Sequence, residues 1–314
     1  MSSGEVVVKV VPLRGFVLDF DIPHVGHIEA SLVVEVERNG KKVKIGVERV
    51  TLFKKYFRNK FSAINRKFYK KVHEICVKTP IGWLIPIQNL DKLRKIEQEI
   101  RKEWEIFDKE LREFIQFGKL PQHLIETIRK RYGEEGFQNY IREISEYREI
   151  VNEYLRQKGV TWDEFVKKIP YLPSKFRIKM LPFNISLDEV LEIIPEEVKP
   201  YVESKVQETM ENIKKEIING FVQELEKTKE EIRNVLNEVK KEIINKRVSE
   251  AVKKLREIEN KVILIDPSLR TKIVELRREV SRISSNPSSE NVLTTCKRFE
   301  TLIQWIANIG KELK

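Results

Sequence analysis

Cysteine is almost absent from this sequence, with Cys76 and Cys296 the only two. Two thiols exclude a disulfide scaffold and a multi-cysteine metal site, and leave at most one bridge. Long apolar runs are missing too. The stretch Ile81 to Ile87 is interrupted by Gly82 and Pro86, whereas a membrane-crossing helix needs about 20 apolar residues. Met1-Ser2-Ser3-Gly4-Glu5 lacks the basic head and apolar core of a secretory signal, so a cytoplasmic protein is expected. The twelve glycines are scattered and none precedes a Lys-Ser/Thr pair, which removes the phosphate loop of an NTPase. No G-x-S-x-G elbow and no H-E-x-x-H helix occurs. The expectation is a protein that is not an enzyme and holds no cofactor and no metal.

Charge is abundant instead. Charged residues make up 35% of the 314 positions, with 60 Lys and Arg against 49 Asp and Glu, a net charge of +11. Ordinary globular chains carry about 25% charged residues. The Lys/Glu-rich, Gln-poor composition fits a hyperthermophile, or equally a long solvated helical surface. Twelve Gly and twelve Pro among many Ile, Leu, Val and Phe argue against disorder and collagen-like structure. The length suits one large domain or two of roughly 100–200 residues.

The first fifty residues have β character. Val6–Val11 and Phe16–Phe20 are short β-like runs. Ala30–Val36 and the alternating Val43, Ile45 and Val47 flank Asn39-Gly40, a strong hairpin signal because both residues accept positive φ. A helix over 26–38 is the alternative, since Ile28, Leu32 and Val36 are spaced by four. From Phe53 the period becomes helical: Phe53, Phe57, Phe61, Ile64, Phe68 and Val72 form one stripe. Residues 76–87 read as a small β-turn element. A helix over 90–117 follows, then helices near 122–132, 137–157 and 161–168, the last opened by a Thr161/Glu164 capping box. Five prolines fall in 169–200, around an extended run from Phe176 to Leu181, and the main internal boundary is placed there. Apolar spacing then continues from Val202 to Ile243 and beyond. Unbroken over 200–262, that helix would span roughly 90 Å, with Gly220 and Asn245 its weak points. Helices over 269–283 and 290–313 close the chain. The expected fold is mainly α: an elongated helical bundle or coiled-coil hairpin with a small antiparallel β element in the N-terminal region. The expected divisions are 1–52, 53–195 and 196–314.

Two clusters invite a chemical reading. Asp19, Asp21, His24 and His27 lie within nine residues and are metal-ligating types, but their spacing matches no metal motif, and a solvated turn is the simpler reading. Phe53 to Lys71 holds Lys54, Lys55, Arg58, Lys60, Arg66, Lys67, Lys70 and Lys71 and no acid. With the Phe stripe buried, Lys55, Arg58, Arg66 and Lys70 would cover the opposite face and could bind nucleic-acid phosphates without sequence specificity. The competing reading pairs these cations with the acids of 97–113.

The basic helix Phe53–Val72, Gly82-Trp83-Leu84-Ile85-Pro86, the charged helix 90–117, Pro173 to Met180 and the long helix after 200 together resemble an uncharacterised helical family. Its members occur in phages and mobile elements, often encoded near a MoxR-type AAA ATPase and a von Willebrand A-domain protein. The likeness spans about residues 50–245, leaves the β-like N-terminus outside, and implies no catalytic residues. The likeness implies no established activity; the absence of catalytic motifs and the length of the 200–262 stripe favour a non-enzymatic scaffold or adaptor assembling with protein partners, an AAA-type ATPase among them. The alternatives are a nucleic-acid-binding accessory protein and a virion or mobile-element structural component. The 200–262 stripe is too long for the last two helices to cover alone. Residues 90–157 are the expected cover, and a second copy, making a homodimer, is the alternative.

Overall fold

The computed structural model describes residues 15–183 and 195–311. The β-like run expected over Val6–Val11 lies outside the described residues. In chain order the elements are β1 (Gly15–Asp21), α1 (Val25–Ser31), β2 (Val34–Arg38), β3 (Lys41–Ile45), a π-helical turn (Phe53–Phe57) that runs into α2 (Arg58–His73), β4 (Val77–Thr79), β5 (Gly82–Pro86), α3 (Leu90–Phe117), α4 (Gln122–Lys158), α5 (Trp162–Lys167), α6 (Leu172–Lys175), β6 (Arg177–Phe183), α7 (Lys199–Arg233), α8 (Lys241–Lys261), α9 (Ser268–Ile283) and α10 (Ser289–Lys311). The protein is mainly α with a small antiparallel β component, as its periodicity predicts.

The compact units are not the consecutive segments 1–52, 53–195 and 196–314. One unit comprises Met1–Asp19, Val72–Leu93 and Met180–Lys314; the other comprises Phe20–Lys71 and Arg94–Lys179. The physical reason is burial. Leu84 of β5 belongs to the same apolar core as α7–α10, with Val17 and Val77 packed against it.

The larger sheet, most of whose residues belong to the first unit, has strand order β4-β5-β1-β6. β1 and β5 run antiparallel with Gly15 opposite Pro86 and Leu18 opposite Trp83. The register brings the Ile85 carbonyl so close to Gly15 that a Cβ there would lie 2.4 Å from it. The helices of this unit form a bundle in which α7 packs along α10 and α8 along α9. Its core takes Phe221 and Leu225 from α7, Leu255 and Ile258 from α8, Ile273 and Val280 from α9, and Phe299 and Ile306 from α10.

The single helix expected over 200–262 is broken. The chain leaves α7 at Arg233, makes a 3-10 turn over Asn234–Asn237, and re-enters helix at Lys241. Neither Gly220 nor Asn245 interrupts it. The break lets the second half of the apolar stripe pack against the first, so most of the stripe is covered within its own unit, while Leu236, Val239 and Ile243 at the break stay exposed. No residue of 94–157 belongs to this core, which corrects the cover expected from 90–157.

In the second unit, β2 and β3 form the expected hairpin, with Val34 opposite Ile45. Asn39 and Gly40 take φ of 52° and 70°, the left-handed pair that a two-residue hairpin turn needs. The helical alternative holds only upstream, as the short α1. The Phe stripe is buried as its spacing predicts: Phe61 meets Trp104 at 4.7 Å, Phe57 meets Phe114 at 5.0 Å, and Phe68 meets Phe176 at 5.1 Å between ring centroids. Such aromatic pairs contribute roughly 0.5–1.5 kcal/mol beyond their buried area. A polar node lies beside them. Asp108, 3% exposed, accepts from Arg112 at 2.6 Å and from the Leu172 N–H at 3.1 Å. Arg112 also donates to the carbonyls of Val166 and Ile169, so one carboxylate and one guanidinium join α3 to α5 and α6. The expected helices 122–132 and 137–157 meet at Gly133, whose φ of 71° and ψ of −175° only glycine adopts readily. The Thr161/Glu164 capping box opens α5.

Candidate nucleic-acid interface

The acid-free run from Phe53 to Lys71 lies in the second unit, and helix geometry divides its charges by direction. At 3.6 residues per turn, Phe57, Phe61, Ile64 and Phe68 point into the core. Lys60, Lys67 and Lys71 stand on the flank of that stripe, where α3 supplies acids. Lys60 pairs with Glu110, Lys67 with Glu103 and, at 2.8 Å, with Glu99, and Lys71 with Glu99 at 2.6 Å. The hydrogen bonds that Lys67 donates to Glu103 and then Glu99 raise its ammonium above the ordinary lysine range, and those donated by Lys67 and then Lys71 hold the Glu99 carboxyl below the usual carboxylate range. This sector is the ion-paired interface that the competing reading expects.

Arg58 belongs with the paired residues. Its guanidinium lies 2.5 Å from Glu29 of α1, and the hydrogen bond raises its pKa further. Arg58 therefore leaves the set expected on the free face.

The other three expected residues share the outward direction. Lys55, Arg66 and Lys70 are exposed, as are Asn59, Ser62 and Tyr69 between them. These six positions lie within about 60° of one line along the helix. Arg66 Nε reaches only the Ser62 carbonyl of its own helix, at a long 3.4 Å. Lys55, Arg66 and Lys70 have no carboxylate partner among the described residues. From Lys55 to Lys70 the stripe is about 22 Å long at 1.5 Å per residue.

The helix α4 extends the surface at the Lys55 end. Lys55 Nζ sits 5.3 Å from the centroid of the Tyr132 ring, and the Arg131 guanidinium 5.4 Å from it. Tyr132 is 41% exposed. Arg129 is neutralised by Glu134 at 2.9 Å, whereas Lys130 and Arg131 are exposed. Sequence reasoning missed Lys130, Arg131 and Tyr132. Their signal was present: Arg129-Lys130-Arg131-Tyr132-Gly133 places three basic residues beside a tyrosine and a helix-breaking glycine.

Charge is divided unequally between the units. The unit of Phe20–Lys71 and Arg94–Lys179 holds 32 of the 60 basic and 21 of the 49 acidic residues, a net +11. The other unit holds 28 of each and is neutral. The whole excess positive charge of the chain therefore belongs to the unit that carries the stripe.

The remaining sequence candidates have local roles. Asp21 pairs with Lys179 at 2.9 Å. His24 caps α1, its Nδ1 accepting from the Gly26 N–H at 3.1 Å. Among the described residues no group of three His, Cys, Asp or Glu is placed to hold a metal ion. His123 meets the Tyr56 hydroxyl at 2.6 Å. Cys76 and Cys296 are buried free thiols, and burial pushes the Cys76 thiol up to about 12, which leaves it unreactive near neutral pH. No described helix is long and apolar enough to cross a membrane. Compared with protein-family models, with curated proteins and with solved structures, the chain has no significant match.

Proposed function

We propose that the chain is a nucleic-acid-binding accessory protein that engages phosphates through Lys55, Arg66 and Lys70, with Lys130 and Arg131 extending the surface. One observation carries the reading: the unit bearing this acid-free stripe holds the entire net charge of +11. A concentrated positive field attracts polyanions and is insensitive to base sequence. The test is binding of a labelled oligonucleotide at two salt concentrations by the full chain and by a Lys55→Glu/Arg66→Glu/Lys70→Glu variant. The variant should bind more weakly and with a shallower salt dependence, the slope falling by about 0.7–0.9 for each phosphate that is no longer neutralised. Unchanged affinity and slope would overturn the assignment.

A second reading, a scaffold that assembles with a protein partner such as an AAA-type ATPase, draws on a different place. Between α7 and α8, Val239 is 97% exposed and Leu236 is exposed, as is Ile243 in the first turn of α8. Such an apolar knuckle suits a protein partner. Recovery of an AAA-type ATPase with the native chain, and its absence with Val239→Glu, would support this reading. Equal recovery with both would refute it.

A further inference from the structure

The second unit contains a cavity of about 570 Å³ whose lining includes Phe20, Ile28, Leu172, Ser174, Lys175 and Arg177. That volume lies within the range of small-molecule sites, roughly 300–1,000 Å³. Phe20 gives the lining one aromatic ring, Ile28 and Leu172 contribute apolar side chains, and Lys175 and Arg177 contribute cations. The one carboxylate in the lining, Asp21, is neutralised by Lys179 at 2.9 Å, so the local field stays positive.

The cavity adjoins the basic stripe. The Phe20 ring meets Phe68 edge-on at 5.0 Å and Tyr69 at 6.4 Å between centroids, and Tyr69 lies between Arg66 and Lys70 on the exposed face. A strand following the stripe past Lys70 therefore arrives at a recess lined by the Phe20 ring with two further cations. A duplex keeps its bases stacked inside and has nothing to place there. An unpaired strand can turn a base out onto an aromatic ring while cations hold the neighbouring phosphates.

We infer that the nucleic acid bound by the stripe is single-stranded, with one unstacked base seated in the Phe20 cavity and flanking phosphates held by Lys175 and Arg177. The inference rests on the proposed nucleic-acid function and adds the class of strand.

The full chain is titrated with labelled twenty-nucleotide oligo-dT and oligo-U and with a DNA duplex of equal length. Two cavity variants are used: Ser174→Trp, which fills the recess without altering charge, and Lys175→Gln/Arg177→Gln. The wild-type chain should bind both single strands more tightly than the duplex. Ser174→Trp should lose about tenfold on the single strands, the scale of one stacked base, and less than twofold on the duplex. If thermal melting shows that Ser174→Trp perturbs the fold, the exposed Lys175→Gln/Arg177→Gln pair decides by the same single-strand-specific loss. Equal affinity of the wild-type chain for duplex and single strands, or cavity variants that leave single-strand binding unchanged, overturns the inference. In that event a Lys55→Glu/Arg66→Glu/Lys70→Glu variant that weakens every ligand leaves the stripe assignment standing. A stripe variant that changes nothing removes both.

Discussion

Arg66 and Lys67 are adjacent, equally charged and on the same helix, and they should respond oppositely to charge reversal. Arg66→Glu replaces an exposed side chain that has no acidic partner, so its effect on stability should stay within about ±0.5 kcal/mol. Lys67→Glu removes ion pairs to Glu99 and Glu103 and places a third carboxylate between them. Each exposed pair contributes about 0.2–1 kcal/mol, and the new repulsion is of similar size, so the loss is about 1–2 kcal/mol. Melting temperature should fall by roughly 2–4 °C per kcal/mol. The pH dependence has a definite sign. Hydrogen bonds from Lys67 and Lys71 depress the Glu99 carboxyl in the folded chain. Its contribution is therefore present above the unfolded carboxyl value, about 4.3, and is lost as pH falls through the depressed folded value. The gap between wild type and Lys67→Glu should be full at pH 7 and shrink as pH falls below the unfolded carboxyl value and through the depressed folded one. Oligonucleotide affinity at physiological salt should show the converse pattern: several-fold weaker for Arg66→Glu, within twofold for Lys67→Glu. If both variants lose stability alike, or both lose binding alike, the division of the helix into a paired flank and a free face is wrong.

Packing sets the expected outcome of three other substitutions. Gly133→Ala forces a side chain into a glycine-only backbone conformation with no neighbouring atom to blame; it should cost of order 1–3 kcal/mol in denaturant unfolding, and a stabilised variant would mean that α4 runs straight through. Asp108→Ala leaves Arg112 and the Leu172 N–H without their buried acceptor, and should cost about 3–5 kcal/mol; a loss under about 1 kcal/mol, the scale of an exposed pair, would show that the node is solvated. Leu255→Ala opens a cavity at the centre of the α7–α10 core and should cost about 2–5 kcal/mol, measured by the denaturation midpoint, with a near-zero change counting against the described packing.

Local chemistry was the readable part of the sequence. Asn39-Gly40 determines its hairpin turn through two backbone conformations, and Thr161 with Glu164 closes its own cap, so neither needs distant residues. The Phe stripe was readable because burial imposes the helical period. The break after Arg233 was not. The segment Asn234-Val235-Leu236-Asn237 holds neither proline nor glycine, and it ends the helix because Val235 and α8 must return to the core. Gly220, the obvious weak point, stays helical with open space around it. The fate of each cation in the basic run was equally hidden. Whether Arg58 or Arg66 finds an acid depends on Glu29, far upstream in the chain, and that proximity exists only in the fold. The division of net charge was hidden for the same reason, since each unit is assembled from separated stretches of chain.

The contrast between the units bears on why the stripe exists. In the neutral unit, some cations meet acids: Lys254 pairs with Glu231 at 2.5 Å, Arg277 with Glu259 at 3.1 Å, and Arg298 with Glu279. A helix gains a few tenths of a kcal/mol from each opposite-charge pair at i,i+4, and loses a similar amount from each like-charge pair. Arg66 and Lys70 are such a like-charge pair on an exposed face where one glutamate at position 62 or 63 would relieve them. Ser62 and Ala63 stand there instead. The same chain places acids on α3 opposite the flank lysines and none on the outward face of the helix between Lys55 and Lys70. An acid inserted at position 62 or 63 should therefore gain a few tenths of a kcal/mol of helix stability and, on the proposed phosphate-binding reading, weaken oligonucleotide binding; a variant that leaves binding unchanged would count against that reading.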